Sequence, residues 1–241
     1  MPSPQDVLDA YAEGVPYTDL TKDFLERRRW GGDPVCLLAE AAAATTGQRY
    51  ATGIYPTVRR FREAFIETGR LQRFAELAAL DLEDDDLIES FGAQRKRQVL
   101  IEAAGELADR VDSVGERDDR TDRRSDLESL QDWAFEADPF HYDTDPIGAI
   151  DGVGPGSFQY LRMLAGVDTV KPDPEVTQLL AAVADDASVP ALYVDDPIEA
   201  VAACEWLAVV TSYRRIEIDR IAWWTFTDDE QREAVLSLHE G

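Results

Sequence analysis

The sequence predicts an all-α fold, and three observations carry the prediction. Apolar residues recur at helical spacing along nearly all of the 241 residues. Asp-Pro pairs at 33–34, 173–174 and 196–197 mark helix starts, with aspartate as the cap and proline at the first helical position. Short β-like stretches such as Ala191–Val194 are too few to build a sheet, and the chain contains no internal repeat.

Taken in order, Asp6–Tyr11 opens a short helix. Asp33 caps a small-residue apolar helix through Leu37, Leu38 and Ala41–Ala44, which reads as buried and central, and Thr45–Arg49 ends it. In Ile54–Thr68, Val58, Phe61, Phe65 and Ile66 lie at helical spacing, with Gly69 as the stop. Leu71–Leu80 is a further short helix. Asp84–Asp86 lead into Leu87–Phe91, closed by Gly92, and Gln94–Arg110 carries Val99, Leu100, Ala103, Ala104 and Leu107 on one face. Val111–Ser125 is charged, contains Gly115 and is almost free of apolar residues, so it reads as a solvated loop or insertion. Helix returns over Asp126–Ala137, followed by a turn at Asp138–Tyr142. Helices are expected from Pro174 to about Val183 and from Pro197 to about Val210, and Thr227–Glu230 reads as a capping box opening the last one.

Composition narrows the class. The hydrophobic fraction of 44% supplies a core, and no run is apolar and long enough for a membrane span. The first residues have neither a basic region nor an apolar stretch, so no secretory signal is expected. Cys36 and Cys204 are the only cysteines, which excludes a disulfide framework and an iron–sulfur cluster. His141 and His239 lack metal-ligand spacing. The net charge of −25, with Lys22, Lys96 and Lys171 as the only lysines, resembles the cytoplasmic proteins of salt-accumulating halophiles. In molar salt the Debye length is about 3 Å, so crowded carboxylates are tolerated. A cytoplasmic monomer is expected. Nucleic-acid binding at such salt must rest on backbone hydrogen bonds, shape and stacking, because phosphate attraction is largely screened.

Asp145–Val176 is the informative segment. Pro146–Ile150 reads as a short helix, Asp151–Gly156 as a hairpin, and Ser157–Ala165 as a second helix stopped by Gly166. Phe158, Leu161 and Leu164 face one side of that helix, with Tyr160 and Arg162 on the exposed side. A glycine turn running into a helix start aims free amides outward, and that geometry suits phosphate without needing a lysine.

The pattern Gly152-Val153-Gly154, followed about twenty residues later by Asp173 at a helix start, resembles the helix-hairpin-helix DNA glycosylases of the endonuclease III type. Pro34–Gly47 and Leu87–Leu107 resemble that family's upstream helices, so the likeness runs from about residue 33 to 183, with 184–241 as C-terminal helices. The resemblance implies one helical domain in two lobes, with the hairpin at a central cleft. It implies double-stranded, lesion-containing DNA as partner and Asp173 as the catalytic carboxylate, stabilising oxocarbenium character or activating water on a flipped-out base. Hairpin carbonyls could hold a monovalent cation. The position of the family's attacking lysine is Gly156, so β-lyase chemistry is not expected, and Glu175 replaces its histidine. What remains fits a monofunctional enzyme.

Candidate DNA contacts are Gly152, Val153, Gly154, Gly156, Ser157 and Lys171, joined by the basic run Arg95, Lys96 and Arg97. That run is explained equally by an external anion or by pairing with Asp84–Asp86 and Glu89. Thr45–Arg49 could enter the duplex by analogy, and Trp223 and Trp224 could line a base pocket or pack in the core. Asp173 is at least a helix cap. Two other readings stay open: a non-catalytic helix-hairpin-helix DNA-binding protein, and an acidic protein-interaction module on the same fold.

Overall fold

The computed structural model describes residues 1–113 and 123–239, and among these it is helical with no strand. The helices are α1 (Pro4–Ala12), α2 (Tyr17–Leu25), α3 (Pro34–Ala44), α4 (Tyr55–Phe61), α5 (Phe74–Ala78), α6 (Asp85–Phe91), α7 (Gln94–Ser113), α8 (Arg123–Glu136), α9 (Pro155–Leu164), α10 (Pro174–Ala187), α11 (Pro197–Val210), α12 (Arg215–Phe226) and α13 (Asp229–His239). No described helix is long and apolar enough to cross a membrane.

The caps explain most of the starts. Asp33, Asp173 and Asp196 each accept amides from the first turn of α3, α10 and α11, satisfying donors that a helix start otherwise leaves unpaired. The last start differs from expectation: Asp228, not Thr227, caps α13 by accepting the Gln231 amide at 2.8 Å, and the Thr227 hydroxyl oxygen is buried without a hydrogen-bond partner.

Other boundaries also shift. The stretch expected as one helix over 54–68 is α4 flanked by two π-helical turns, Tyr50–Ile54 and Arg62–Ile66. Residues 111–113 and 123–125, read as solvated loop, are helical ends of α7 and α8; the rest of that segment, 114–122, lies outside the described residues. Pro146–Ile150 forms a turn instead of a helix, closed by the Ala149 amide on the Asp145 carbonyl. Helix α2 has no forecast, and α12 falls within the C-terminal helices expected over 184–241, with no separate bounds expected for it.

Two hydrophobic clusters organise the chain. The first gathers α3, α4, α7, α8 and α9 around Phe61, Phe74, Trp133 and Phe158. The second joins α1 to α10, α11 and α12 through Leu8, Leu179, Val201 and Ile221. Each fully buried side chain of this size contributes about 1.5–3 kcal/mol. Helix α3 is buried on every side, as its small apolar sequence predicts. Both cysteines are buried, one in each cluster. The chain crosses from the first cluster at Val167 to the second at Val170.

Candidate functional site

The hairpin forms as the two glycines require. Gly152 has φ +109, a left-handed value that other residues rarely adopt, and a Cβ there would lie 2.8 Å from Arg95 Nε and 3.0 Å from Val99 on α7. The Val153 amide closes the turn on the Ile150 carbonyl at 2.9 Å. Gly154 precedes α9, and its N–H donates to the Ser157 hydroxyl at 3.0 Å while that hydroxyl returns a bond to the Gly154 carbonyl. Pro155 has no N–H, and Phe158 N–H bonds the Gly154 carbonyl. The Gly156 and Ser157 amides are therefore the helix-start donors available to an outside acceptor. A Cβ at Gly154 or Gly156 would meet nothing within 4 Å, so the approach is open. Gly148 is constrained in a different way: a Cβ there would sit 1.8 Å from the Tyr142 carbonyl oxygen.

The basic run divides. Arg95 is exposed and pairs with exposed Asp151 at 3.0 Å, beside the turn. Lys96 and Arg97 are buried, contrary to a role as surface contacts. Lys96 donates to Gln48 at 2.8 Å, and burial holds its pKa below the usual lysine range. Arg97 donates to the Gly92 carbonyl and to Glu83, not to Asp84–Asp86 or Glu89. Lys96 thereby fixes the Thr45–Arg49 loop from beneath, and the Gln48 side chain packs where a Cβ on Gly53 would fall.

Tyr160 and Arg162 also depart from expectation, since both point inward. Arg162 donates to the Ala134 carbonyl and to Gln159. The Tyr160 hydroxyl donates to Glu40, a fully buried carboxylate on α3 that also accepts from Arg29 and from Trp30 Nε1 at 2.5 Å. Burial and the Glu40 charge push the Tyr160 hydroxyl far above its usual pKa, the Arg29 cation opposing them. The Arg29 guanidinium lies over Phe24 at 4.4 Å and Tyr50 at 4.6 Å, and its Nε is buried without a partner. Trp30, held at φ +52, stacks on Tyr55 at 5.2 Å. Sequence reasoning overlooked this network. Its signal was a lone glutamate inside an otherwise apolar helix, which must find a cationic or hydrogen-bonding partner once buried.

Asp173 caps α10 by accepting the Val176 amide at 3.2 Å, and its side chain is 18% exposed. Burial, reinforced by the charge of Asp219 on α12, raises its pKa to about 7, while Lys171 opposes the shift. The Lys171 ammonium stands 4.0 Å from the Asp173 carboxylate and 5.1 Å from the centre of the Tyr160 ring. Tyr160 lies about one and a half turns along α9 from the hairpin. The acid and the turn are thus tied to one helix. Trp223 and Trp224 are half-buried under cations, Arg220 over the first at 5.6 Å and Arg232 over the second at 5.0 Å, and are neither core nor open.

Two surface hollows are defined elsewhere. One, of about 600 Å³, lies between α1 and α10 and is lined by Val7, Tyr11 and Asp186 among others. The other, of about 290 Å³, lies beside Trp133, His141 and Asp145. Asp173 lines neither. No group of three or more acidic, histidine or cysteine side chains is placed to hold a metal ion among the described residues. Compared with known protein families, with characterised proteins and with solved structures, the chain matches none.

Proposed function

We propose that this chain is a DNA glycosylase-like protein of base-excision repair, similar to the helix-hairpin-helix enzymes, that hydrolyses the N-glycosidic bond of a damaged or mismatched base without β-lyase chemistry. One observation carries the reading: an open glycine turn leading into free helix-start amides, coupled through Tyr160 and Lys171 to a largely buried acid whose pKa lies near neutrality.

In this reading the Gly156 and Ser157 amides take a phosphate oxygen of double-stranded DNA, at the positive end of α9. Arg95 adds a cation if the phosphate displaces Asp151. The Thr45–Arg49 loop, stiffened by Lys96, enters the duplex, and the target base leaves the stack. Asp173 serves in its charged form, stabilising positive character at the sugar C1′ and accepting a proton from the attacking water. Its raised pKa makes it a better proton acceptor than an ordinary carboxylate. Gly156 provides no amine, so no Schiff base forms. Neutral carbonyls of the turn suit a monovalent cation, although those of Ile150 and Gly154 already accept amides and would have to use their second lone pairs.

The test is excision from duplexes carrying a panel of lesions and mismatches, in molar KCl, with alkali added to cut at the abasic product. Asp173→Asn keeps the cap acceptor and removes the charge, so it is expected to lower excision by about 10²–10⁴-fold with the fold intact. Full activity in that variant, or no excision of any lesion by the wild type, removes the reading. A second reading, a non-catalytic DNA-binding protein, draws on the cover over Asp173, whose side chain is only 18% exposed. Hairpin-dependent DNA binding without excision would select it.

A further inference from the structure

Helix α12 does more than fill the second cluster. Its first turn runs beside residues 168–171, and the two segments are joined by a pair of carboxylate–amide bonds of opposite sense. Asp168 accepts the Ile216 amide of α12 at 2.9 Å, and Asp219 of α12 accepts the Lys171 amide at 2.8 Å. Asp168 also stands 3.6 Å from Arg215. Asp219 is fully buried, and its other oxygen accepts from Arg220 Nε at 2.8 Å, whose guanidinium lies 5.0 Å over Phe24 of the first cluster. Both oxygens of the Asp219 carboxylate are thus engaged, one by a cation and one by a main-chain amide. What it holds is the main chain two residues before Asp173.

We propose that Asp219 is a positioning residue for Asp173: it clamps the main chain at Lys171 and presents a fixed negative charge to the Asp173 carboxyl. Its use in catalysis rests on the glycosylase reading; the clamp and the charge do not. The groups acting on Asp173 are few. Lys171 approaches from the connecting segment, Glu175 from the first turn of α10, and Asp219, backed by Arg220, from α12. Lys171 favours ionisation, whereas both carboxylates oppose it, with Asp219 the stronger of the two. Lys171, whose amide Asp219 holds at 2.8 Å, itself accepts the Asp173 amide on its carbonyl at 2.8 Å, so one residue links the two carboxylates. Asp219 therefore retains a proton on Asp173 at pH values where an isolated carboxyl has lost it. Because the pair is buried, salt screens it far less than it screens the acidic surface.

The experiment is a carboxyl ¹³C NMR titration of the full chain in high salt, with the Asp173 signal assigned by its loss in Asp173→Asn. The wild-type midpoint is expected near pH 7. Asp219→Asn keeps an acceptor for the Lys171 amide and removes the charge, so the proton affinity of Asp173 is expected to fall at least tenfold, a midpoint at least one unit lower. Asp219→Ala removes the acceptor too, and hydrogen exchange at the Lys171 amide is expected to accelerate at least tenfold. A folded Asp219→Asn chain with an unmoved Asp173 midpoint overturns the proposal. So does a wild-type midpoint in the ordinary carboxylate range, which decides the matter even if neither variant folds. Where excision is measurable, the acid limb of its pH profile shifts with the titration. A shifted titration in a chain that excises nothing retires the glycosylase reading and leaves the clamp standing.

Discussion

Asp173 shows how one residue can serve structure and chemistry in opposite ways. As a cap it does best charged, accepting the Val176 amide at the positive end of α10. Buried beside Asp219 it does best protonated, and that effect prevails, raising its pKa from 3.8 to about 7. The folded chain thus holds this proton more tightly than the unfolded chain does. The resulting stability is complete below about pH 3.8 and is lost as pH climbs through about 7. Asp173→Asn cannot ionise. Denaturant unfolding is therefore expected to give it close to the wild-type stability near pH 4 and an advantage of about 4 kcal/mol near pH 8. Equal pH dependence in the two chains would contradict the assignment. The position of Asp173 before Pro174 made its capping role legible in the sequence. Its neighbour Asp219 was not, because the two are 46 residues apart in sequence and meet only through tertiary packing.

At the scale of the element, caps and small-residue runs were readable and alternating patterns were not. Helices α3, α10 and α11 start where an Asp-Pro pair places them. Helix α12 begins Arg-Ile-Glu-Ile-Asp-Arg-Ile, a near period-two pattern that hides a helix whose Asp219 and Arg220 are buried against each other. Helix α2, with Thr and Asp spread through its length, has too narrow an apolar stripe to announce itself. On α9, Tyr160 and Arg162 look like an outer face until the lone Glu40 of α3 and the Ala134 carbonyl are known to await them. The hairpin glycines were legible as a turn, and they separate by role. Gly152→Ala meets both a left-handed φ and the Arg95 and Val99 side chains, so a loss of about 1–3 kcal/mol is expected. Gly156→Ala, inside the first turn of α9 with open space around it, is expected to leave stability unchanged or raise it by about 0.5 kcal/mol. Thermal or denaturant midpoints of the two variants check the contrast.

Across the whole molecule, 49 acidic residues face 24 basic ones. Many surface cations are already paired, including Arg70 with Asp84 and Asp86, and Arg214 with Glu217, so the excess negative charge repels itself across the exterior. The melting temperature is expected to rise as KCl increases from about 0.2 M to about 3 M, most steeply at the low end where screening changes fastest. A melting point indifferent to salt would argue that the acidic surface carries no strain. Charge was legible in composition. The division into two apolar clusters was not, because it depends on a helix from the first dozen residues packing with three from the last third of the chain.

That pairing of distant segments has a consequence for synthesis. Leu8 of α1 is buried in a cluster with residues of α10, α11 and α12, and that set is not complete until the ribosome has passed residue 222 or so. The first cluster can condense earlier, since most of its helices are complete by Leu164. During translation the apolar face of α1 therefore stays incompletely covered until the last third of the chain is made. The reciprocal bonds between Asp168 and Ile216 and between Lys171 and Asp219 are among the last links to close. A nascent chain halted before α12 would hold a formed hairpin and an acid not yet set in place.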